Sequence, residues 1–550
     1  MIQENLVKYF EDSIKANWDT LALSDYKGID YSYADVAVQI KKWHLLFEAR
    51  GIKPGDKIAL IGKNSANWGI VFLSVVTYGA VIVPLLPDFK PRDVHALVNH
   101  SDSRLFFASD AIFEQLDMNQ MPAIECVFSV DNHQVCYRKT DHPNGVADKE
   151  ILFQETYPKG IRAETFSLPQ IGNDKLAMIS YTSGTTGNSK GVMLLHNSLA
   201  GNVKFARDHM PLQSADRIVS FLPQAHTYGL LFEFLFPFSL GCHITFLTKT
   251  PSPKIITQAF AEIRPRLILS VPLVIEKIYK AQILPAIQKP YMKVLMAIPG
   301  VKNLIRKKIR EKITGVFGGN FHELVIGGAP FNAEAESFFR KLKFPITVGY
   351  GMTECGPLVS YASWKENRCH ASGRSVDLLE VKIDSEDSEN VAGEILMRGD
   401  HVMTGYYKNP EATAKAIDED GWLHSGDLGV IDKDGFIYIK GRNKSMILGP
   451  SGQNIYPEEI ESIINNQECV VESLVLEKNN KLHALVYLDP DCIREEEMDE
   501  KAIRQHLEHL RKHVNHHTPA YMNITRFEHQ KETFEKTPKQ SIKRYKYTAA

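Results

Sequence analysis

Five serine and threonine hydroxyls, three glycines and a lysine crowd into one short run, YTSGTTGNSKG, from Tyr181 to Gly191. Ser183, Thr185 and Thr186 sit among Gly184, Gly187 and Gly191, with Lys190 beside the last glycine. Glycines let backbone N–H groups come close to an anion, and hydroxyls add donors to the same oxygens. A lysine adds positive charge. This set of groups suits phosphate. It is not a Walker loop, which needs four residues between its glycines and a Ser or Thr after the lysine. Here Gly191 follows Lys190. Taken alone, the run reads either as a phosphate-binding loop or as an exposed turn rich in small polar residues.

The run follows LAMIS, an apolar segment that reads as a strand and would hold the loop at its end. Similar β-branched runs recur as KIALIG, AVIVPLL, SRLFFAS, HITFL and LILSVP, separated by amphipathic stretches of helical period. That alternation implies α/β architecture with mostly parallel strands buried on both faces. After about Gly393 the texture changes. GEILMRGDHVMTGYY and GWLHSGDLGVIDKDGFIYIKGR read as short strands joined by turns such as DKDG. From about Asn443 a smaller α+β region follows, with helices in YPEEIESIINN and around Ile503–His513 and strands in ESLVLEK and LHALVYLD. We therefore expect a large N-terminal domain, residues 1–442, of stacked α/β subdomains plus a β-rich subdomain. A small mobile C-terminal domain, residues 443–550, should follow, with the boundary at GRNKS.

A chain of 550 residues is too long for one compact core. Its net charge of −2 and the lack of any long block of one sign exclude a nucleic-acid arm and argue against a nucleic-acid partner. The seven cysteines are scattered without a CxxC pair, which suggests neither a zinc site nor a disulfide framework and fits a reducing, cytoplasmic setting. The first residues, MIQENLVKYFEDSIK, carry early acids and no apolar core, unlike a secretory signal.

From Gly69 to Leu86 no residue is charged, long enough for a membrane helix by length alone. Yet Ser65 can cap a helix running to about Tyr78, Gly79 can break it, and AVIVP can continue as a buried strand. Mean hydropathy is negative, so the helix-plus-strand reading is preferred. A basic stretch, VKNLIRKKIREKITG, places apolar residues at helical spacing beside lysines and arginines. It reads as a solvated helix or, alternatively, as an interfacial helix in peripheral contact with the inner face of a membrane.

The phosphate loop resembles the signature of the AMP-forming adenylating enzymes, the superfamily of acyl-CoA synthetases, firefly luciferase and the adenylation domains of peptide synthetases. The resemblance continues in the family's order through LPQAHTYG (Leu222–Gly229), GGAP (Gly327–Pro330) and GYGMTE (Gly349–Glu354). It extends through WLHSGDLG (Trp422–Gly429), GRNKS (Gly441–Ser445) and GQNIYPEEIE (Gly452–Glu461). Within the superfamily the sequence looks most like the long-chain fatty acid–CoA ligases.

The resemblance implies ATP contacts from Thr182, Ser183, Gly184, Thr185, Thr186, Gly187 and Lys190 in the loop. It places Thr353 against the phosphates and Glu354 on Mg²⁺, for which a carboxylate is a natural hard ligand. Gly328, Ala329 and Pro330 would wall the adenine pocket, with Tyr350 and Gly351 beside the base. Asp427 would accept from both ribose hydroxyls, and Arg442 would offer its fixed fork of donors to the ribose or phosphate end. His226 and Gly349 become substrate-binding residues, His226 gating or contacting the acyl carboxylate. The Phe- and Leu-rich run after His226 would line an acyl tunnel or simply be core. Lys444 would be the hinge about which the small domain rotates.

One feature departs from the family. A lysine of the small domain is expected on the α-phosphate, where a cation lowers the barrier to attack by a carboxylate. In FEKTPKQSIKRYKY the Thr537-Pro538 pair aligns Ser541 with that position, and Lys539 and Lys543 lie two residues to either side. Lys543, followed by Arg544, is the preferred candidate. A solvated basic tail is the alternative, and so is weak or lost adenylation.

The implied reaction has two steps. A carboxylate attacks the α-phosphorus of Mg·ATP and releases pyrophosphate. A thiol then attacks the acyl-AMP and releases AMP. The expected acid is a medium- to long-chain fatty acid and the expected thiol that of CoA. Loading of an acyl carrier protein, or nucleotide and acyl binding without turnover, are alternatives. An amino-acid-activating domain would carry an aspartate near LPQAHTYG, where this chain offers only Glu233.

Overall fold

The computed structural model describes residues 1–139, 148–182, 189–249, 251–279, 301–448, 454–478, 481–537 and 542–547. The largest sheet has eight strands. Its centre is parallel: Leu176–Thr182, Val81–Leu85, Lys57–Ile61, Ser103–Ala108 and Cys126–Ser129 lie side by side. Each is rich in β-branched or aromatic residues, and Val81–Leu85 is buried at every position, as a strand covered on both faces must be. The edges are antiparallel: Val135–Arg138 at one side, Lys190–Leu195 and then Gly405–Tyr406 at the other.

The uncharged stretch after Ser65 forms the helix Ala66–Tyr78 and then the strand Val81–Leu85. Ser65 accepts a hydrogen bond from the N–H of Trp68, and Gly79 ends the helix at φ +89, a conformation that favours glycine. No helix among the described residues is long and apolar enough to cross a membrane. The basic stretch forms the helix Val301–Val316.

Two further parallel groups complete the α/β part. His243–Phe246 pairs with Arg217–Ser220 and Leu21–Asp25. Glu323–Ile326 pairs with Leu267–Ser270 and Ile346–Val348. The β-rich part is an antiparallel sheet of Leu379–Asp384, Gly393–Gly399, Leu423–Ile431 and Ile437–Arg442. The DKDG turn closes its last hairpin, with the Gly435 N–H donating to the Asp432 carbonyl at 2.8 Å. One part of GEILMRGDHVMTGYY leaves this sheet. Gly405–Tyr406 crosses to the edge of the eight-stranded sheet, because the N–H groups of Thr404 and Tyr407 find the carbonyls of Met193 and Gly191.

The small C-terminal domain has a three-stranded sheet of Val470–Lys478, Lys481–Leu488 and Ile524–Gln530 with the helices Pro457–Asn465 and Glu500–His517. Ile460, Ile464, Val486, Leu510 and Val514 form its own buried cluster. The molecule is thus α/β, a large N-terminal domain followed by a small C-terminal one. The cysteines correct the sequence reading at one point: Cys469 and Cys492 are joined as a disulfide, with Cα atoms 5.6 Å apart. Pairing of Val470 with Leu488 brings the two flanking segments together, although their spacing gives no motif.

Candidate active site

The phosphate loop is the connection of an antiparallel hairpin. Thr182 and Lys190 face each other across its mouth, and the Thr182 hydroxyl donates to the Lys190 carbonyl at 3.5 Å. Ser183, Gly184, Thr185, Thr186 and Gly187 lie outside the described residues. Gly191 is required by packing: a Cβ there would sit 2.8 Å from the Ile179 side chain. Lys190 extends its ammonium over the Tyr406 ring, 4.5 Å from the centroid.

Tyr406 in turn reaches the next motif. Its hydroxyl donates to Glu354 Oε1 at 3.0 Å, and burial followed by the nearby carboxylate raises its phenol well above the usual range. The main chain reinforces this link, since the Met403 N–H donates to the Glu354 carbonyl at 2.7 Å. Glu354 and the buried Thr353 occupy the turn Thr353–Cys355. Asn202, from the helix His196–His209, braces that turn by donating to the Cys355 carbonyl and accepting from the Leu358 N–H. Lys190, Tyr406 and Glu354 therefore form one contiguous chain of contacts.

Tyr350 and Gly351 precede that turn. A Cβ on Gly351 would lie 2.3 Å from the Pro357 carbonyl oxygen, so the backbone approach there admits only glycine. The Tyr350 hydroxyl donates to Asp427 Oδ2 at 2.7 Å. Arg442 Nε lies 3.1 Å from Asp427 Oδ1, because the two residues face each other in the hairpin of Leu423–Ile431 and Ile437–Arg442. The carboxylate is 9% exposed and the guanidinium 65%, so the pair has a buried end and a wet end. Burial raises the Asp427 carboxyl above its ordinary value, and Arg442 opposes that rise. Tyr350, Asp427 and Arg442 thus form a second connected group.

GGAP follows the strand Glu323–Ile326, with Gly328 at φ +85 and Gly328, Ala329 and Pro330 exposed. Tyr228 joins this motif to LPQAHTYG. Its hydroxyl donates to the Val325 carbonyl at 3.1 Å, and a Cβ on Gly327 would come within 3.1 Å of its ring. The Gly349 N–H donates to the Ile326 carbonyl at 2.9 Å, so GGAP and GYGMTE leave adjacent strand ends. His226 is half-buried and caps the short helix Thr227–Gly229, its Nδ1 accepting from the Tyr228 N–H. The apolar run that follows belongs to the core. Leu230, Leu231, Phe234, Leu235, Phe236 and Phe238 are fully buried in the main cluster. Glu233 is buried too, accepting from the Ser220 hydroxyl at 3.1 Å and from the N–H groups of Phe221 at 3.0 Å and Leu222 at 2.9 Å.

The remaining expected residues lie at the start and end of the small domain. Lys444 is exposed in the turn Asn443–Ser445, right after Arg442. Lys543 Nζ pairs with Glu535 Oε1 at 2.6 Å. Arg544, beside it, is held by Glu461 and Glu458. Lys539 and Ser541 lie outside the described residues. Two residues of the site, Tyr406 and Tyr228, had no assignment from sequence. The tyrosine of HTYG and the first tyrosine of GYY are the only cues.

A buried carboxylate beside a tyrosine, a second carboxylate joined through Tyr406 to Lys190 of the glycine-rich hairpin, and a small domain that follows the strand ending at Arg442 are the arrangement expected of the adenylating enzymes. Residues 10–407 match the AMP-binding enzyme model, and residues 444–550 match the AMP-binding enzyme C-terminal domain. The chain belongs to the AMP-binding enzyme family and is an AMP-forming acyl-CoA synthetase. It is 28% identical over 511 residues to the long-chain-fatty-acid–CoA ligase heimdall of Drosophila melanogaster, covering 86% of this chain and 72% of that protein. It is 28% identical over 451 residues to a long-chain-fatty-acid–CoA ligase of Salmonella typhimurium, covering 78% and 74%. Its fold is shared with ATP-bound MatB from Rhodopseudomonas palustris, with a TM-score of 0.76 at 22% identity, covering 99% and 98% of the two chains.

Proposed function

We propose that the protein activates a medium- to long-chain fatty acid as its acyl-adenylate and passes the acyl group to the thiol of CoA. The observation that carries this reading is the convergence on Asp427 of Tyr350 from GYGMTE and Arg442 from GRNKS. A buried carboxylate with two fixed neighbours can accept from vicinal ribose hydroxyls while Tyr350 offers a flat face to a base. In this reading Gly328, Ala329 and Pro330 bound the adenine, and Thr182, Lys190 and the loop between them receive the phosphates.

The donor set also fits Mg²⁺. Glu354 is half-buried, one of its oxygens is held by Tyr406, and its other oxygen has no hydrogen-bond partner among the described residues. Glu354 would hold the ion, which when bound neutralises the polyphosphate charge. Thr353 orients the phosphates beside it. His226 and Gly349 border the acyl carboxylate. The carboxylate oxygen attacks the α-phosphorus and pyrophosphate leaves. After the small domain turns about Lys444, the CoA sulfur attacks the acyl carbon and AMP leaves with the bonding pair. Glu233 supports a fatty rather than an amino acid, because it is already engaged by Ser220, Phe221 and Leu222.

The test is acid-dependent ATP–pyrophosphate exchange across acids of increasing chain length, followed by acyl-CoA formation. Exchange that rises with chain length is the expected result. Exchange without acid, or best with an amino acid, overturns the assignment. A second reading, a homologue with weakened adenylation, is favoured by the ion pair that holds Lys543 on Glu535. It predicts nucleotide binding with little exchange for any acid.

A further inference from the structure

We propose that Glu336, Cys369 and His370 form a binding site for one zinc-class divalent cation, separate from the adenylation site. Glu336 lies on the helix Ala333–Lys341 with only 4% of its side chain exposed, while Cys369 and His370 lie on the exposed loop beside it. Their ligand atoms all fall within 4.8 Å of one another.

The geometry divides the work of Glu336 between its two oxygens. Oε1 accepts from Arg340 Nε at 2.8 Å and from the His370 N–H at 3.1 Å. Oε2 faces His370 Nδ1 at 3.3 Å. A tetrahedral zinc site with bonds of about 2.0–2.1 Å to nitrogen and oxygen has ligand edges of about 3.3 Å. The Glu336–His370 pair is therefore already spaced as two corners of such a site. Cys369 Sγ lies 3.6 Å from His370 Nε2, the ring nitrogen on the far side from Glu336, and 3.7 Å from Ser337 Oγ. To share one ion at Nδ1 it must rotate about its Cα–Cβ bond toward Glu336, a movement its exposure permits and the 4.8 Å spread of the three ligand atoms keeps short. The fourth corner opens to solvent.

Ligand chemistry selects the ion. Thiolate and imidazole with a single carboxylate suit Zn²⁺, whereas Mg²⁺ and Ca²⁺ require oxygen shells. Binding displaces the Cys369 thiol proton to solvent, so affinity rises with pH. The bound ion fastens the helix that follows GGAP to the loop that supports GYGMTE. In that loop Asn367 donates to Thr347 Oγ1 at 2.9 Å and to the Val348 carbonyl at 3.2 Å, just before Gly349 and Tyr350.

The test is a Co²⁺ titration of the metal-stripped full chain, its Cys469–Cys492 disulfide intact and without nucleotide, followed by Zn²⁺ displacement and thermal unfolding. One equivalent of Co²⁺ should give a thiolate-to-cobalt charge-transfer band, and Zn²⁺ should abolish the band and raise Tm. Cys369→Ser should lose the band, and His370→Ala should weaken binding by roughly tenfold or more. His513 and His517, whose rings lie tilted against each other one helical turn apart with centroids 4.2 Å apart, are the competing site. The His513→Ala/His517→Ala double variant should keep the band. Absence of the band in the wild-type chain, or its survival in Cys369→Ser, overturns the proposal.

Discussion

The Tyr406 hydroxyl donates to Glu354 Oε1 at 3.0 Å, joining two sequence motifs that lie far apart in the chain. The same ring carries the Lys190 ammonium. One tyrosine thus sets the positions of the anion and the cation nearest the phosphate hairpin, and its raised phenol keeps the proton it donates.

Tyr406→Phe keeps the ring and loses the hydrogen bond. A bond to a charged group contributes about 1.5–3 kcal/mol, so pyrophosphate exchange should fall by roughly ten- to a hundredfold. Tyr406→Leu should lose more, because it also removes a cation–π contact of about 0.5–2 kcal/mol. Exchange assayed against Mg²⁺ concentration reads both. A Tyr406→Phe enzyme with wild-type exchange would separate Tyr406 from the site.

Arg442 controls the charge of Asp427. Burial raises this carboxyl, and Arg442 is the largest influence holding it down. The proposed ribose contact needs the ionised form, so activity is lost as pH falls through the folded-state value. Arg442→Gln removes the opposing charge, and the acid limb of the kcat/KM profile should move to higher pH. An unmoved acid limb would show that Asp427 does not titrate in the assay.

The parts of this architecture legible in the sequence are those with local causes. Ser65 and Gly79 mark the ends of Ala66–Tyr78 by capping and left-handed backbone, both of which depend on the residue itself. The DKDG turn sets the hairpin that brings Asp427 opposite Arg442. The crossing of Gly405–Tyr406 to another sheet was not legible, because main-chain bonds to Gly191 and Met193 leave no side-chain pattern. The Cys469–Cys492 pair likewise depends on strand register. The run after His226 has the composition of either a tunnel wall or a core, and only its burial decides for core.

Glu233 anchors the segment leading to His226. Its carboxyl is raised well above 4.5 by burial, despite three donors that pull the other way. The native state therefore holds this proton more tightly than the unfolded chain does. The contribution to stability is intact below the unfolded value and is lost as pH rises from there through the folded one. Glu233→Gln should flatten that part of the stability–pH curve. Glu233→Leu should cost about 1–3 kcal/mol for each donor left unpaired, and it should raise KM for the acid by displacing His226. Thermal unfolding across pH and steady-state kinetics distinguish the two effects.

Lys543 must leave Glu535 to act on an α-phosphate. Lys543 and Lys546 both pair with that carboxylate and push its pKa down to about 2, so it stays charged through the working range. The pair is exposed on the Glu535 side, and exposed ion pairs are weak enough to open when a triphosphate offers more charge. Lys543→Ala should therefore lower pyrophosphate exchange by at least roughly tenfold, as removal of a transition-state cation does. Glu535→Gln should raise it by freeing the lysine. Lys546→Ala should have the opposite sign to Glu535→Gln, because removing the second cation leaves the whole carboxylate charge on Lys543 and holds it more tightly. Acyl transfer from preformed acyl-AMP to CoA should be unaffected in all three. Equal exchange in Lys543→Ala and the wild type would assign the cation to another residue of the tail, and low exchange in both would favour the weakened homologue.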